Sequence, residues 1–276
     1  MQVPEPAVIF GETPRRRGRS TACLGDARRA LKPMPRILTY NVHRCVGVDG
    51  RLDVGRVAAV IAKLRPDIVA LQELDVGRAR TGGVDQAHEI ARRLEMAVHF
   101  HAALRVEEEL YGDAILTTYP ERLVHAARLP GYSRIQALEP RGALWISVEI
   151  EGRAVQVINT HLGLVPREQQ IQAAWIAGPR WLSHPKCVGP TILLGDFNAT
   201  ASSVVYRTLT AKLEPARRLA PHKSPTSTFP SRLPVLRIDH LFVNADIQVK
   251  DVFAPYEPTT RIASDHLPLV MDFELV

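Results

Sequence analysis

Gly195-Asp196-Phe197-Asn198 sets a carboxylate and a carboxamide directly after the apolar run Ile192-Leu193-Leu194. Bounded by Gly189-Pro190 and by Gly195, the run reads as a strand buried on both faces. Alternation along an extended chain turns Asp196 and Asn198 to one side, where both can face one substrate. Polar groups at the end of a buried strand are costly to desolvate unless something uses them. A polar turn leaving a strand would suit Gly-Asp-x-Asn equally well, so this segment alone does not decide between turn and site.

The same placement recurs along the chain. Asn41, Glu73 and His161 close apolar runs, Asp239-His240 opens one, and Ser264-Asp265-His266 immediately precedes the last. Singly, Gln72-Glu73 reads as a solvated strand end, His161 as a hydrogen-bonded structural histidine and Asp239 as a turn residue. Strand ends on one edge of a sheet converge, however, and Glu73, Asp196, Asp239 and Asp265 would then repel one another. Such a pocket needs a cation or shared protons. Oxygen donors with histidine, and no C-x-x-C pair, point to magnesium or manganese rather than structural zinc.

The elements that must position these groups follow from periodicity. Strands are expected at Arg36–His43 and Asp67–Glu73, with helices at Leu52–Leu64 (stopped by Pro66) and Val84–Met96. The middle reads as strands at Ala97–Leu104, Ala114–Tyr119 and Arg122–Leu129, then a hairpin of Ala143–Ile150 and Ala154–Thr160 around Glu151-Gly152. Pro166 opens a long helix to about Leu182, and Ser202–Leu213 looks helical. A Pro-, Ser- and Thr-rich surface loop is expected over 214–234, followed by strands at Ile238–Val243, Ile247–Phe253 and Leu267–Phe273. With no composition break after residue 36, these read as one domain, 35–276, of mixed strands with helices outside.

The 276 residues are 46% hydrophobic and 23% charged, which suits an α/β fold. No apolar run approaches the roughly 18–20 residues of a membrane span. The three cysteines, Cys23, Cys45 and Cys187, are widely spaced and argue for a reducing, cytoplasmic compartment. Residues 1–36 hold eight of the 35 basic and three of the 29 acidic side chains, leaving 27 against 26 in the rest. The net charge of +6 is therefore almost all in a Pro-, Gly- and Arg-rich segment, expected to be a disordered extension over 1–34 without a secretory core. The body offers no strong footprint for a polyanion.

Taken together, the motifs resemble the endonuclease/exonuclease/phosphatase superfamily of metal-dependent phosphate-ester hydrolases. The similarity runs from residue 36 to 275 through Thr39-Tyr-Asn41, Leu71-Gln-Glu73, Asn159-Thr-His161, Gly195-Asp-Phe-Asn198, Ile238-Asp239 and Ser264-Asp-His266. Gly82-Gly-Val-Asp-Gln86 and Glu139-Pro-Arg-Gly142 look like a small bacterial subgroup of metal-dependent hydrolases. The resemblance implies a DNase I-like four-layer α–β–β–α sandwich of two mixed sheets with outer helices.

It also implies roles. Glu73 would be the main ligand of Mg²⁺ (or Mn²⁺), with Asn41 and Asp265. Asp196 would orient and deprotonate the attacking water, and Asn198 would bind it or the phosphate. His266, held by Asp239, would contact a phosphoryl oxygen or move a proton. His161 matches a histidine that stabilises the phosphate or leaving group, and Tyr111 a tyrosine near the phosphate. Arg141 would add a bidentate phosphate contact, and His43 is a substrate-pocket candidate. Asp113 departs from the pattern, standing where relatives commonly carry a phosphate-facing asparagine. A charge there would repel substrate or add a metal ligand.

Fold does not fix substrate. An aromatic content of 6% and a near-neutral body offer little for stacking on or gripping nucleic acid. The leading expectation is a monomeric Mg²⁺-dependent phosphodiesterase acting on a small or lipid-headgroup ester. A DNA or RNA nuclease and a catalytically silent binding scaffold are the alternatives.

Overall fold

The computed structural model describes residues 34–276 apart from 133, 134, 136 and 137. The extension expected over 1–34, with Cys23, lies outside the described residues except for Met34. Two mixed six-stranded sheets carry the architecture. The first runs in the order β11 (Ile247–Phe253), β12 (Leu269–Leu275), β1 (Arg36–Asn41), β2 (Ile68–Val76), β4 (Glu109–Thr117), β3 (Ala97–Val106). The second runs β5 (Glu121–Arg128), β6 (Gly142–Ile150), β7 (Arg153–His161), β8 (Thr191–Asp196), β10 (Asp239–Val243), β9 (Glu214–Pro215). Each sheet holds one parallel pair, β1 with β2 and β7 with β8. The crossovers contain α1 (Val54–Leu64) and α3 (Pro166–Ala177), as parallel neighbours require.

Alternation explains the layering. Ile37, Ile68, Ile115, Val157, Ile192, Leu194, Leu241 and Met271 meet in one core between the sheets. Their chain neighbours face outward: Leu38, Val69 and Val270 pack on α1 and on α2 (Gln86–Leu94) through Val57, Ile61, Ala87 and Ile90. On the far side Trp145, Ile158, Leu193 and Phe242 pack on α3 and α4 (Val204–Thr210) through Ala173, Ile176, Val205 and Leu209. The result is the four-layer α–β–β–α sandwich. Its helices begin where short polar side chains accept orphan N–H groups: Asp53 from Arg56, Asp85 from His88 and Ser203 from Tyr206.

Several boundaries differ from expectation. The helix expected to reach Leu182 stops at Ala177, because Pro179 disfavours a helical conformation at Gly178. The Ser202–Leu213 helix is confined to α4. Strand β4 begins at Glu109 rather than Ala114, so Tyr111 and Asp113 lie inside the sheet. Residues 214–234 are not simply a surface loop. They contain β9 and the short helix α5 (Ala216–Leu219), and Thr226, Thr228 and Ser231 are buried. Among the described residues Cys45 and Cys187 are free, and no helix is long and apolar enough to cross a membrane.

Candidate active site

At one end of the sandwich the inter-sheet layer changes from apolar to polar. Following the inward-facing positions, Ile37 and Thr39 lead to Asn41, Val155 and Val157 to Asn159 and His161, and Ile192 and Leu194 to Asp196. Register brings the ends together: His161 pairs with Asp196 and Asp239 with Asp196 across β8. Asn41 Nδ2 donates to both Glu73 Oε1 and Asp196 Oδ2 at 3.0 Å, so one carboxamide joins carboxylates from opposite sheets.

Glu73 reaches this cleft by breaking the pleat. It has φ of 60° and sits where the β2–β4 register slips between Leu71 and Leu74. The extra residue returns Leu74 to the helix-facing side, with Leu71, and leaves Glu73 free to turn inward. A β-bulge next to an active site commonly re-aims one side chain in this way. The bulged N–H of Glu73 bonds the Asp113 carboxyl.

Asp196 and Asn198 also converge by a route other than alternation. Asn198 has φ of 47° and donates its backbone N–H to Asp196 Oδ1 at 2.9 Å, a turn closed by the aspartate itself. Gly195 precedes it with φ of 146°, and a Cβ there would lie 1.9 Å from the Thr160 carbonyl oxygen. Only glycine fits that position. Asp196 is 1% exposed, and burial, reinforced by Asp239, pushes its pKa up to about 7.

Two histidines flank Asp196 Oδ2, His161 Nε2 at 3.5 Å and His266 Nε2 at 3.7 Å. His161 Nδ1 faces Arg141 Nη1 at 3.0 Å. Guanidinium can only donate, so a neutral ring accepts at Nδ1 and carries its proton on Nε2, beside which Asn198 Nδ2 also stands at 3.2 Å. Burial, then the Arg141 and His266 charges, hold the pKa of His161 well below the ordinary imidazole value. His266 is the reverse case. Its Nδ1 lies 2.8 Å from Asp239 Oδ2, and although burial opposes its charge, Asp239 and Asp196 outweigh that and raise its pKa to about 10. Thr228 Oγ1 donates to the same Asp239 oxygen, and Phe229 lies against the His266 ring with centroids 4.9 Å apart.

All eleven residues singled out from sequence gather here. His43, Glu73, Tyr111, Arg141, His161, Asp196, Asn198, Asp265 and His266 line one open cleft of about 510 Å³. Asn41 lies behind Glu73, and Asp239 behind His266. Two positions have surroundings that bear on their roles. His43 lines the cleft, but its Nδ1 donates to Val46 O (3.2 Å) and its Nε2 accepts from Arg44 Nη2 (2.7 Å), so both ring nitrogens are engaged within its own turn. Asp113 is 2% exposed, and burial raises its pKa well above the carboxylate range. That shift works against the negative charge expected at this position. Arg44, Arg80 and Phe229, absent from the sequence-based set, also line the cleft. Arg80 binds Asp75 through two hydrogen bonds of 2.6 and 2.7 Å. Nothing in a Pro- and Ser-rich stretch marks Thr228 beforehand.

The donor set suits a hard divalent cation. Buried carboxyls crowd together, and burial displaces Asp196 and Asp113 toward protonation, with neighbouring carboxylates adding to the shift. Asp196, Asp239 and His266 offer atoms within 4.8 Å of one another. In that trio His266 Nδ1 is already hydrogen-bonded to Asp239 Oδ2 at 2.8 Å. Glu73 and Asp265 line the same cleft, and Asn41 lies against Glu73. Ser264 Oγ donates to Asn41 O at 2.8 Å and ties the Asp265 segment to the end of β1.

Comparison with known proteins agrees with this geometry. The chain is 25% identical to the Escherichia coli K12 protein YbhP over 252 residues, covering 87% of this chain and 96% of that protein. Among solved structures, an endonuclease/exonuclease/phosphatase from Bacteroides vulgatus superposes with a TM-score of 0.72 at 22% identity, covering 89% of this chain and all (100%) of that one. A mannosyl-6-phosphatase from Bacteroides thetaiotaomicron superposes at 0.68 with 18% identity, covering 87% and 100%. The sequence profile of the Endonuclease/Exonuclease/phosphatase family matches residues 38–266, and this chain belongs to that family of phosphate-ester hydrolases.

Proposed function

We propose that the chain is a Mg²⁺-dependent phosphodiesterase for a small phosphate ester, with Mn²⁺ as a substitute. The observation that carries this is Asp196, a buried carboxylate between a neutral histidine and a charged one in a cleft that also holds Glu73. Glu73, Asn41 and Asp265 would hold the cation, which supplies charge neutralisation for the phosphoryl oxygens.

The chain's own groups account for the rest. Asp196 accepts the proton of the attacking water, and a pKa near 7 suits that task at neutral pH. Asn198 donates Nδ2 to Leu162 O at 3.0 Å, which fixes the amide beside His161. His161 presents Nε2–H to a phosphoryl or leaving oxygen. His266 presents a charged N–H to the same group and is kept charged by Asp239. The neutral phenol of Tyr111, its pKa raised by burial, donates from the β4 side. Arg141 holds the His161 tautomer and adds positive charge to the cleft. Preorganised donors of this kind each contribute about 10²–10³ in rate.

The test is turnover of bis(p-nitrophenyl) phosphate by the full chain. Activity should appear with Mg²⁺ or Mn²⁺, vanish with chelator, and fall by at least about 10³-fold in Glu73→Gln and His266→Ala. No cation-dependent turnover of this ester, phospholipid, RNA or abasic duplex DNA would favour a binding scaffold. Hydrolysis of abasic DNA far above the others would replace the small-ester reading with a nuclease.

A further inference from the structure

The residues after β1 form a feature that the hydrolytic machinery does not explain. His43, Arg44 and Cys45 have φ of 45°, 55° and 58°, three consecutive non-glycine residues in left-handed backbone. Left-handed backbone is unfavourable for residues with a Cβ, and the conformation persists only where its surroundings over-determine it. Those surroundings are present. Cys45 N donates to Val42 O and Val46 N to His43 O, at 2.8 and 2.9 Å, while Asp53 N closes on Cys45 O at 2.8 Å. His43 N bonds Asn41 Oδ1 at 3.0 Å. Buried Gln86 donates to Arg44 O at 2.7 Å and accepts from Asp75 N at 2.9 Å.

The turn delivers one side chain to the cleft in an unusual state. Arg44 lines the cleft wall, and among the described residues no carboxylate pairs with it. His43 Nε2 braces its Nη2, and its buried Nε has no partner. The other arginines of the cleft are engaged. Arg80 is held by Asp75; Arg141 is turned to His161 Nδ1 and has Glu139 at 3.9 Å, although its buried Nε, like that of Arg44, has no partner. A guanidinium half-sequestered without a counter-ion is costly, and its planar fork matches a phosphate or carboxylate.

We propose that the His43–Cys45 turn is an anion clamp, and that the substrate is a small phosphoester bearing a second anionic group bound by Arg44. The inference rests on the phosphoesterase reading for the scissile phosphoryl, but binding tests it separately from turnover. Propane-1,3-diphosphonate and propylphosphonate have two and one anionic groups, and neither has an ester to cleave. Calorimetry on the full chain in excess Mg²⁺ should show the diphosphonate binding at least about tenfold more tightly. Arg44→Gln should bring that ratio to within about twofold while the monophosphonate affinity stays within about twofold, and Arg44→Lys should fall between. Equal affinities in the native chain, or a preference that survives Arg44→Gln, would overturn the clamp. So would tighter binding of a duplex oligonucleotide than of the diphosphonate. Loss of ester turnover with the preference intact would sink the proposed reaction and leave the clamp standing. Near-native melting of Arg44→Gln confirms that the variant is folded; if it is not, the native ratio alone decides.

Discussion

His161 and His266 approach the same oxygen of Asp196 at nearly equal distances, 3.5 and 3.7 Å, yet they carry opposite protonation states. The difference lies in what stands behind each ring. Arg141 behind His161 adds positive charge and can only donate; Asp239 behind His266 adds negative charge and accepts. Burial weakens the charge of both, so the residue behind each ring decides. A single carboxylate thus faces a fixed neutral donor on one side and a fixed cation on the other.

Removing the partner of the cation should have the largest effect. Asp239→Asn withdraws the carboxylate that keeps His266 charged, and kcat should fall on the order of 10³-fold or more. Its pH profile should move as well, since His266 would lose its proton nearer neutrality; a profile of unchanged shape would break the contrast. Next comes Arg141→Met, which removes the donor behind His161. The His161 pKa should rise, bringing an imidazole titration into the range followed by nitrogen NMR, with a rate loss of about 10²-fold.

A smaller effect concerns stability. The folded pKa of His266, about 10, lies above the ordinary value of 6.5. Its contribution is therefore complete below about pH 6.5 and is lost as pH rises through about 10. The melting temperature of metal-free protein should fall across that window, at about 2–4 °C for each kcal/mol lost. His266→Gln should flatten the decline. If both proteins decline alike, the charge on His266 is not what stabilises.

The two sides of this comparison were unequally legible in sequence. Asn41, His161, Asp196 and Asp239 could be read because β-rich apolar runs lead straight to them, and alternation fixes which side they face. The Asp239 partner of His266 was implied by the family resemblance, but the neutral state of His161 was not legible, since it depends on Arg141, remote in the chain from the ring it backs. Glu73 was found as a strand end, but the bulge that turns it inward has no local signature. The left-handed turn at His43–Cys45 lacks glycine, the residue that ordinarily signals such backbone. Thr228 was hidden in a stretch whose composition suggested solvent, although the structure buries it against Asp239.

Just below the polar end of the sandwich, Gln72 Nε2 donates to Asn159 Oδ1 at 2.7 Å across the two sheets. Asn159 Nδ2 donates in turn to Leu71 O and Ala114 O, both at 2.9 Å. The apolar contacts around them are directionless and would tolerate a lateral slide of one sheet over the other. These bonds would not, since a shift of one pleat strands several buried polar groups at about 1–3 kcal/mol each. The pair acts as a dowel between two otherwise greasy plates, and it sets the alignment on which every cross-sheet distance in the cleft depends.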